Sequence, residues 1–326
     1  MLNRRSLIAA IGASTAWTMT SPLLAKETNP MASKRGVAPP HATDCHAHIF
    51  DPTRFPYSSA RRYTPPPATV PELLRMHDSI GIERVVLVQP SVYGTNNECL
   101  LDALKQLGER ARGVAVINST FSRTQLEDMH GAGVRGVRIN LEVSKDSDTS
   151  DALRRLRATV DTLGDAPMLI QVYAALPVIL ACGPMLRGMR QQVLIDHFGL
   201  AKTNQGTGNQ DFAALLDLMK SPNVWMKLSG PYQISDATPA YADIAPIAKA
   251  LISASPRRVV WGSDWPHTGG SNRPADYKPT DLEPFRKEDD QRNFGLVWDW
   301  TAQAAMRHRL LVDNPERLYG FDPYHQ

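Results

Sequence analysis

Asp44-Cys45-His46-Ala47-His48-Ile49 is the stretch on which the fold turns. Two imidazoles two positions apart read as an extended strand, because alternate side chains of a strand share a face. Asp44, His46 and His48 then fall on one side, and Cys45 and Ala47 on the other. Downstream, short apolar, β-branched runs recur at 85–89, 113–117, 136–140, 168–172, 193–196, 224–228 and 259–262. Helical patterns lie between them, for example at 71–80, 98–107, 152–163 and 212–220. Eight such alternations fit a (β/α)₈ TIM barrel of the α/β class. A doubly wound open sheet is the alternative, since periodicity does not show that a sheet closes. No GxGxxG or Walker-type loop supports a nucleotide fold.

The chain has 326 residues, 42% hydrophobic and 21% charged, enough to fill one large core. A net charge of +3, with no basic stretch interleaved with aromatics, argues against nucleic acid. The three cysteines, Cys45, Cys99 and Cys182, are too sparse for a disulfide framework and form no CxxC zinc motif, so buried free thiols are expected. Residues 1–30 read as a leader. Asn3-Arg4-Arg5-Ser6-Leu7-Ile8 precedes an apolar, small-residue run to about Leu24, the pattern of a twin-arginine signal peptide for periplasmic export. That run is too short and too rich in Ala, Ser and Thr to span a membrane. Leu23-Leu24-Ala25 matches A-x-A poorly, which leaves the cleavage site open. Translation from Met31, giving a cytoplasmic protein, is the alternative. The barrel domain is assigned to 31–326.

Three segments carry chemistry. His46 and His48 near the end of the first strand converge on a barrel mouth, where barrel active sites lie. Trp261-Gly262-Ser263-Asp264-Trp265-Pro266 closes the eighth strand and offers Asp264 as a general base. Leu194-Ile195-Asp196-His197 ends the sixth, and His197 can face the same mouth. Two long loops, 51–69 and 265–293, follow the first and last strands and can close over a ligand. Arg135 and Arg138 flank the fourth strand, and Arg61 and Arg62 sit with Tyr57 and Tyr63 in the first long loop. Guanidinium groups bind carboxylate or sulfonate through paired hydrogen bonds. Ser91 and Tyr93, after the second strand, and Tyr173 can add hydroxyl contacts.

These motifs resemble the amidohydrolase superfamily, and more closely its 2-pyrone-4,6-dicarboxylate lactonase branch, with the related sugar-lactone and muconolactone hydrolases. Asp44–Asp51, Val88-Gln89-Pro90-Ser91-Val92-Tyr93-Gly94 and Arg135-Gly136-Val137-Arg138-Ile139-Asn140 carry the closer likeness, which runs from about Thr43 to Gly320. The resemblance implies hydrolysis of a small anionic lactone, with Arg138 binding substrate ahead of Arg135. Many superfamily members hold a divalent metal through the first-strand HxH, histidines on strands five and six, and the last-strand Asp. Here Tyr173 stands in the strand-five place, and no Lys or Glu ends strand four to bridge two metals. The lactonase branch works without metal, so no cofactor is expected. The alternative is one Zn²⁺ or Mn²⁺ on His46, His48, His197 and Asp264. One departure bears on substrate: after Lys227-Leu228-Ser229-Gly230-Pro231-Tyr232-Gln233 no arginine follows until Arg257. The resemblance implies an arginine soon after this point to grip a second carboxylate; without it, a lactone with one acid group or a sulfonate is expected at least as much as a dicarboxylate.

The mechanism expected is water activated by Asp264, with His46, His48 and His197 donating to the carbonyl oxygen, and Arg138, Tyr173, Ser91, Tyr93, Arg135 and Arg61 as substrate contacts. A metal-dependent amidohydrolase or decarboxylase on the same barrel is the second reading. An exported binding protein without turnover is the third.

Overall fold

The computed structural model describes residues 36–141, 149–269, 273 and 276–323. The leader and the Met31 start lie outside the described residues. Eight parallel strands follow one another in sequence order around one sheet: β1 (Thr43–Ala47), β2 (Arg84–Val88), β3 (Ala111–Ala115), β4 (Val134–Asn140), β5 (Leu169–Tyr173), β6 (Val193–Ile195), β7 (Val224–Ser229) and β8 (Val259–Gly262). The helices between them are α1 (Val70–Ile80), α2 (Glu98–Leu107), α3 (Arg123–Gly131), α4 (Thr149–Leu163), α5 (Leu176–Gly188), α6 (Gln210–Leu218) and α7 (Ala245–Ala254). They are followed by α8 (Asp290–Trp300), α9 (Ala304–His308) and α10 (Asn314–Tyr319). The sheet closes just beyond β1 and β8. Ala47 pairs with Trp265, the Trp265 carbonyl accepts from His48 N at 2.9 Å, and the His46 carbonyl accepts from Asp264 N at 2.8 Å. The barrel, not the open sheet, is the architecture.

Local chemistry explains several boundaries. The Glu72 carboxylate accepts from the Thr69 backbone N–H at 2.7 Å, satisfying a group that α1 itself cannot. Ser122 and Gln125 exchange the reciprocal pair of bonds at the start of α3. Strands of a barrel covered by helices are buried on both faces, so they read as continuous apolar runs, and β2 past Arg84 and β6 do so. Cys45, Val86, Val114, Leu194, Trp225, Tyr319 and Phe321 pack into a floor that plugs the N-terminal end of the barrel. The three cysteines are buried and free.

The alternation expected along β1 fails at one point. Its pairing with β2 shifts register between Asp44 and Ala47, as at a bulge. Cys45 joins the interior floor, yet His46 also faces the interior, beside Lys227. Asp44 turns the other way. Its Oδ2 lies 3.1 Å from His77 Nε2 of α1, and its Oδ1 accepts from Ser263 N at 2.9 Å and His46 N at 3.0 Å. Asp44 is thus a clasp joining β1, β8 and α1, and does not share the face of His46.

The clasp needs β8 to run very close to β1. A Cβ on Gly262 would lie 2.6 Å from His46 Cβ and 2.8 Å from His46 N. Backbone atoms cannot swing aside, so Gly262→Ala is expected to destabilise the protein by about 3 kcal/mol, at the upper end of ordinary overpacking. It should also displace His46 and depress turnover. Gly295→Ala, where an added Cβ meets nothing within 4 Å, is the control. Thermal unfolding of both variants checks this, and equal melting temperatures would refute the close-approach argument.

Candidate active site

The C-terminal ends of the strands bring His46, His48, His197 and Asp264 together, each at most a few per cent exposed. Asp264 Oδ1 lies 3.6 Å from both His46 Nε2 and His48 Nε2. Its Oδ2 accepts a 2.7 Å hydrogen bond from the Tyr232 hydroxyl and lies 3.9 Å from His197 Nδ1. The His46 ring meets those of His48 and His197 at centroid distances of 4.9 and 4.8 Å. Asp264 and His197 both adopt positive φ, 66° and 49°. Residues other than glycine seldom occupy that region and hold it only when their surroundings over-determine it. Gly230 leaves the necessary room, since a Cβ there would sit 2.6 Å from Asp264 Oδ2.

The electrostatics sort these groups. Burial pushes the His46 imidazolium well below its ordinary range, and the Lys227 ammonium adds to that. Burial likewise lowers His197, against the opposing pull of Asp264. Burial alone would raise the Asp264 carboxyl, but His197, His48 and the Tyr232 hydroxyl outweigh it and hold it well below the usual carboxylate range. Tyr232 moves well above its ordinary value through burial and the adjacent Asp264 anion, so it stays a donor. Asp264 is therefore the anion at the centre of the cluster.

Above these groups lies a cavity of about 270 Å³, lined by His48, His197, Asp264, Arg138, Tyr173 and Ser91, among others. Arg138, at the end of β4, is buried, with its guanidinium 5.2 Å from the Tyr173 ring centroid. Its Nε, 3.6 Å from Asp196 Oδ2, has no hydrogen-bond partner. Arg62 and Arg273 also line the cavity. They come from the two long loops, which are stitched together: the Pro279 carbonyl accepts from Thr64 Oγ1 at 2.7 Å, and the Thr64 carbonyl accepts from Glu283 N at 2.8 Å.

Three expected contacts fall elsewhere. Arg135 opens β4 at the opposite end of the barrel, where it donates to the His130 carbonyl at 2.7 Å and borders a groove with Leu318 and Gly320. Arg61 is spent inside its own loop, donating to Thr64 Oγ1 at 2.7 Å and the Ser58 carbonyl at 3.1 Å. Tyr93 packs on Tyr57 and its hydroxyl accepts from Asp51 N at 2.8 Å. Sequence reasoning also missed residues. Lys227, Gln171 and Asp196 form a buried polar layer beneath the histidines, with Lys227 wholly inaccessible. A lysine inside an otherwise apolar strand is itself a signal, because lysine is almost never fully buried without a partner.

Comparison with known proteins agrees with this geometry. The chain is 34% identical over 287 residues to a 4-sulfomuconolactone hydrolase of Hydrogenophaga intermedia, covering 88% of this chain and 91% of that one. It is 33% identical over 306 residues to a 2-pyrone-4,6-dicarboxylate hydrolase of Comamonas testosteroni, covering 86% and 90%. A solved structure from Acinetobacter baumannii, described as a "probable 2-pyrone-4,6-dicarboxylic acid hydrolase" with citric acid bound, superposes with a TM-score of 0.69. It shares 27% identity and covers 86% of this chain and 100% of its own. The amidohydrolase family model matches residues 43–321, and with the barrel, its closing motif and its converging histidines and aspartate in place, the chain belongs to the amidohydrolase family.

Proposed function

We propose that this protein is a lactone hydrolase that opens a small ring bearing acid groups. One observation carries the reading: an ionised Asp264 held between His46 and His48, facing a small cavity with a buried arginine across it. The names of the relatives, and the polycarboxylate bound in one of them, support an anionic lactone. Arg62 and Arg273 stand where a second acid group can reach them, although β7 contributes no arginine.

The steps follow from the groups present. A water beside Asp264 Oδ1 attacks the lactone carbonyl and gives its proton to that carboxylate. The carbonyl oxygen becomes an oxyanion and takes a hydrogen bond from His46 Nε2, a buried nitrogen with no partner in the resting site. The ring C–O bond then breaks, and Asp264 returns the proton to the leaving oxygen. His48 Nδ1 donates to the Val88 carbonyl at 2.7 Å, because that oxygen can only accept, and this bond turns Nε2 toward Asp264 Oδ1 and the attacking water. His197, its Nδ1 held by Ser229 at 2.9 Å, stays 3.9 Å from Asp264 Oδ2, and Arg138, Tyr173 and Ser91 orient the acid group.

A metal is tested against the same residues. His46, His48 and Asp264 place ligand-type atoms within 4.8 Å of one another, a spacing that suits one ion. The surroundings do not. The Lys227 ammonium lies 3.4 Å from His46 Nδ1, Arg138 is buried nearby, and β5 ends in Tyr173 and offers no histidine. A divalent ion would be a third buried positive charge. The donor set as built does not fit it, and the proposed reaction uses none.

The test is turnover of a lactone panel (pyrone dicarboxylate, muconolactone, sulfonated muconolactone and aldonolactone) with and without EDTA, alongside elemental analysis. Hydrolysis of a charged lactone that survives EDTA is expected. Loss of activity restored by Zn²⁺ or Mn²⁺ would make His46, His48 and Asp264 ligands. No turnover of any lactone would overturn the reading itself.

A further inference from the structure

The buried layer under the histidines has a direction. Lys227 Nζ lies 2.9 Å from Gln171 Oε1, 3.4 Å from Asp196 Oδ1 and 3.4 Å from His46 Nδ1. Gln171 Nε2 donates to Asp196 Oδ2 at 2.9 Å, which leaves the amide oxygen turned toward Lys227. The amide oxygen only accepts, so it draws a donor from Lys227; burial lowers the Lys227 ammonium and Asp196 Oδ1, in ion-pair range, opposes that, and an ammonium has no lone pair. The remaining N–H therefore meets His46 Nδ1 as a donor.

We propose that Lys227 is a positioning residue: its ammonium donates to His46 Nδ1, fixes the ring proton on Nε2, and so makes His46 a donor aimed into the cavity. Asp196 Oδ1, 3.7 Å from His46 Nδ1, is the competitor. It would pull the proton to Nδ1, but it lies beyond hydrogen-bond reach and nearer to Lys227. His46 then offers a proton beside the Asp264 carboxylate: the carbonyl oxygen needs that donor, and the attacking water needs the carboxylate. The same proton blocks metal binding, since a protonated ring nitrogen cannot ligate. This step rests on the lactone reading only where the carbonyl is concerned; the tautomer stands independently.

The test is a long-range ¹H–¹⁵N correlation spectrum of the full-length chain with ¹⁵N-labelled histidine, His46 being assigned by the signals lost in His46→Gln. In the wild type, His46 is expected to carry its proton on Nε2. Lys227→Met should release the tautomer, lower kcat for an accepted lactone about tenfold to a hundredfold with KM little changed, and take up added zinc that the wild type does not. A wild-type His46 with its proton on Nδ1, or stoichiometric zinc in the wild type, overturns the proposal, and so does a folded Lys227→Met that keeps both the tautomer and kcat. Should Lys227→Met fail to fold, the wild-type spectrum decides alone. If no lactone is turned over but the Nε2 tautomer is seen, the lactone reading fails and the Lys227 assignment survives.

Discussion

Asp264→Asn is expected to lower kcat for an anionic lactone by about a thousandfold, within the range usual for a general base, and to leave KM within a few-fold. Asparagine keeps the volume and can still accept from Tyr232, whose hydroxyl lies 2.7 Å from Oδ2, so the site should stay assembled. What disappears is the only carboxylate between His46 and His48 among the described residues. The pH profile adds a sign. Asp264 is held well below the usual carboxylate range, so it remains the active anion in weak acid. Wild-type turnover should therefore not fall between about pH 8 and about pH 6 through this group, and should be lost only in strong acid, as the carboxylate protonates. Steady-state kinetics of the variant and the wild-type profile check both points. Near wild-type turnover of Asp264→Asn would remove Asp264 as the base.

Arg138→Met is the second large effect. A charge-assisted hydrogen bond to a buried guanidinium contributes about 1.5–3 kcal/mol, so kcat/KM for an acidic lactone should fall about tenfold to a hundredfold or more, chiefly through KM. Arg138 lines the cavity and is largely buried, so water competes little for its guanidinium. An uncharged lactone of the same ring size supplies the control, because its turnover should change little. Arg138→Lys should not rescue, since a lysine cannot reproduce the planar paired donors. A variant equally impaired on charged and uncharged lactones would show that Arg138 acts through Asp196 and folding instead of through substrate.

The sequence made the barrel legible because its strands are short, apolar and regularly spaced. His46, His48, His197 and Asp264 were legible because each sits at or just past a strand end, which in a barrel is also the mouth. Arg135 misled for a reason visible in hindsight. Three positions from Arg138, it falls on the other side of a strand with period two, and it starts the strand that Arg138 nearly ends. Asp44 misled because one shifted residue in β1 inverts a face, and nothing in Asp44-Cys45-His46 announces the shift. Arg273 was out of reach, and Arg62 could not be ranked above Arg61, because contacts between two long loops depend on the fold that carries them.

The closure between β1 and β8 has a consequence for how the molecule is made. The hydrogen bonds that join His46 and His48 to Asp264 and Trp265 link the first strand to the last, and the floor beneath them is completed by Tyr319 and Phe321. Contacts so distant in sequence form late, after their loop-closure entropy has been met. Until β8 and residues 319–321 are in place, the first strand is an open sheet edge that holds its histidines without their base and without a floor, and such an unpaired edge is open to mispairing.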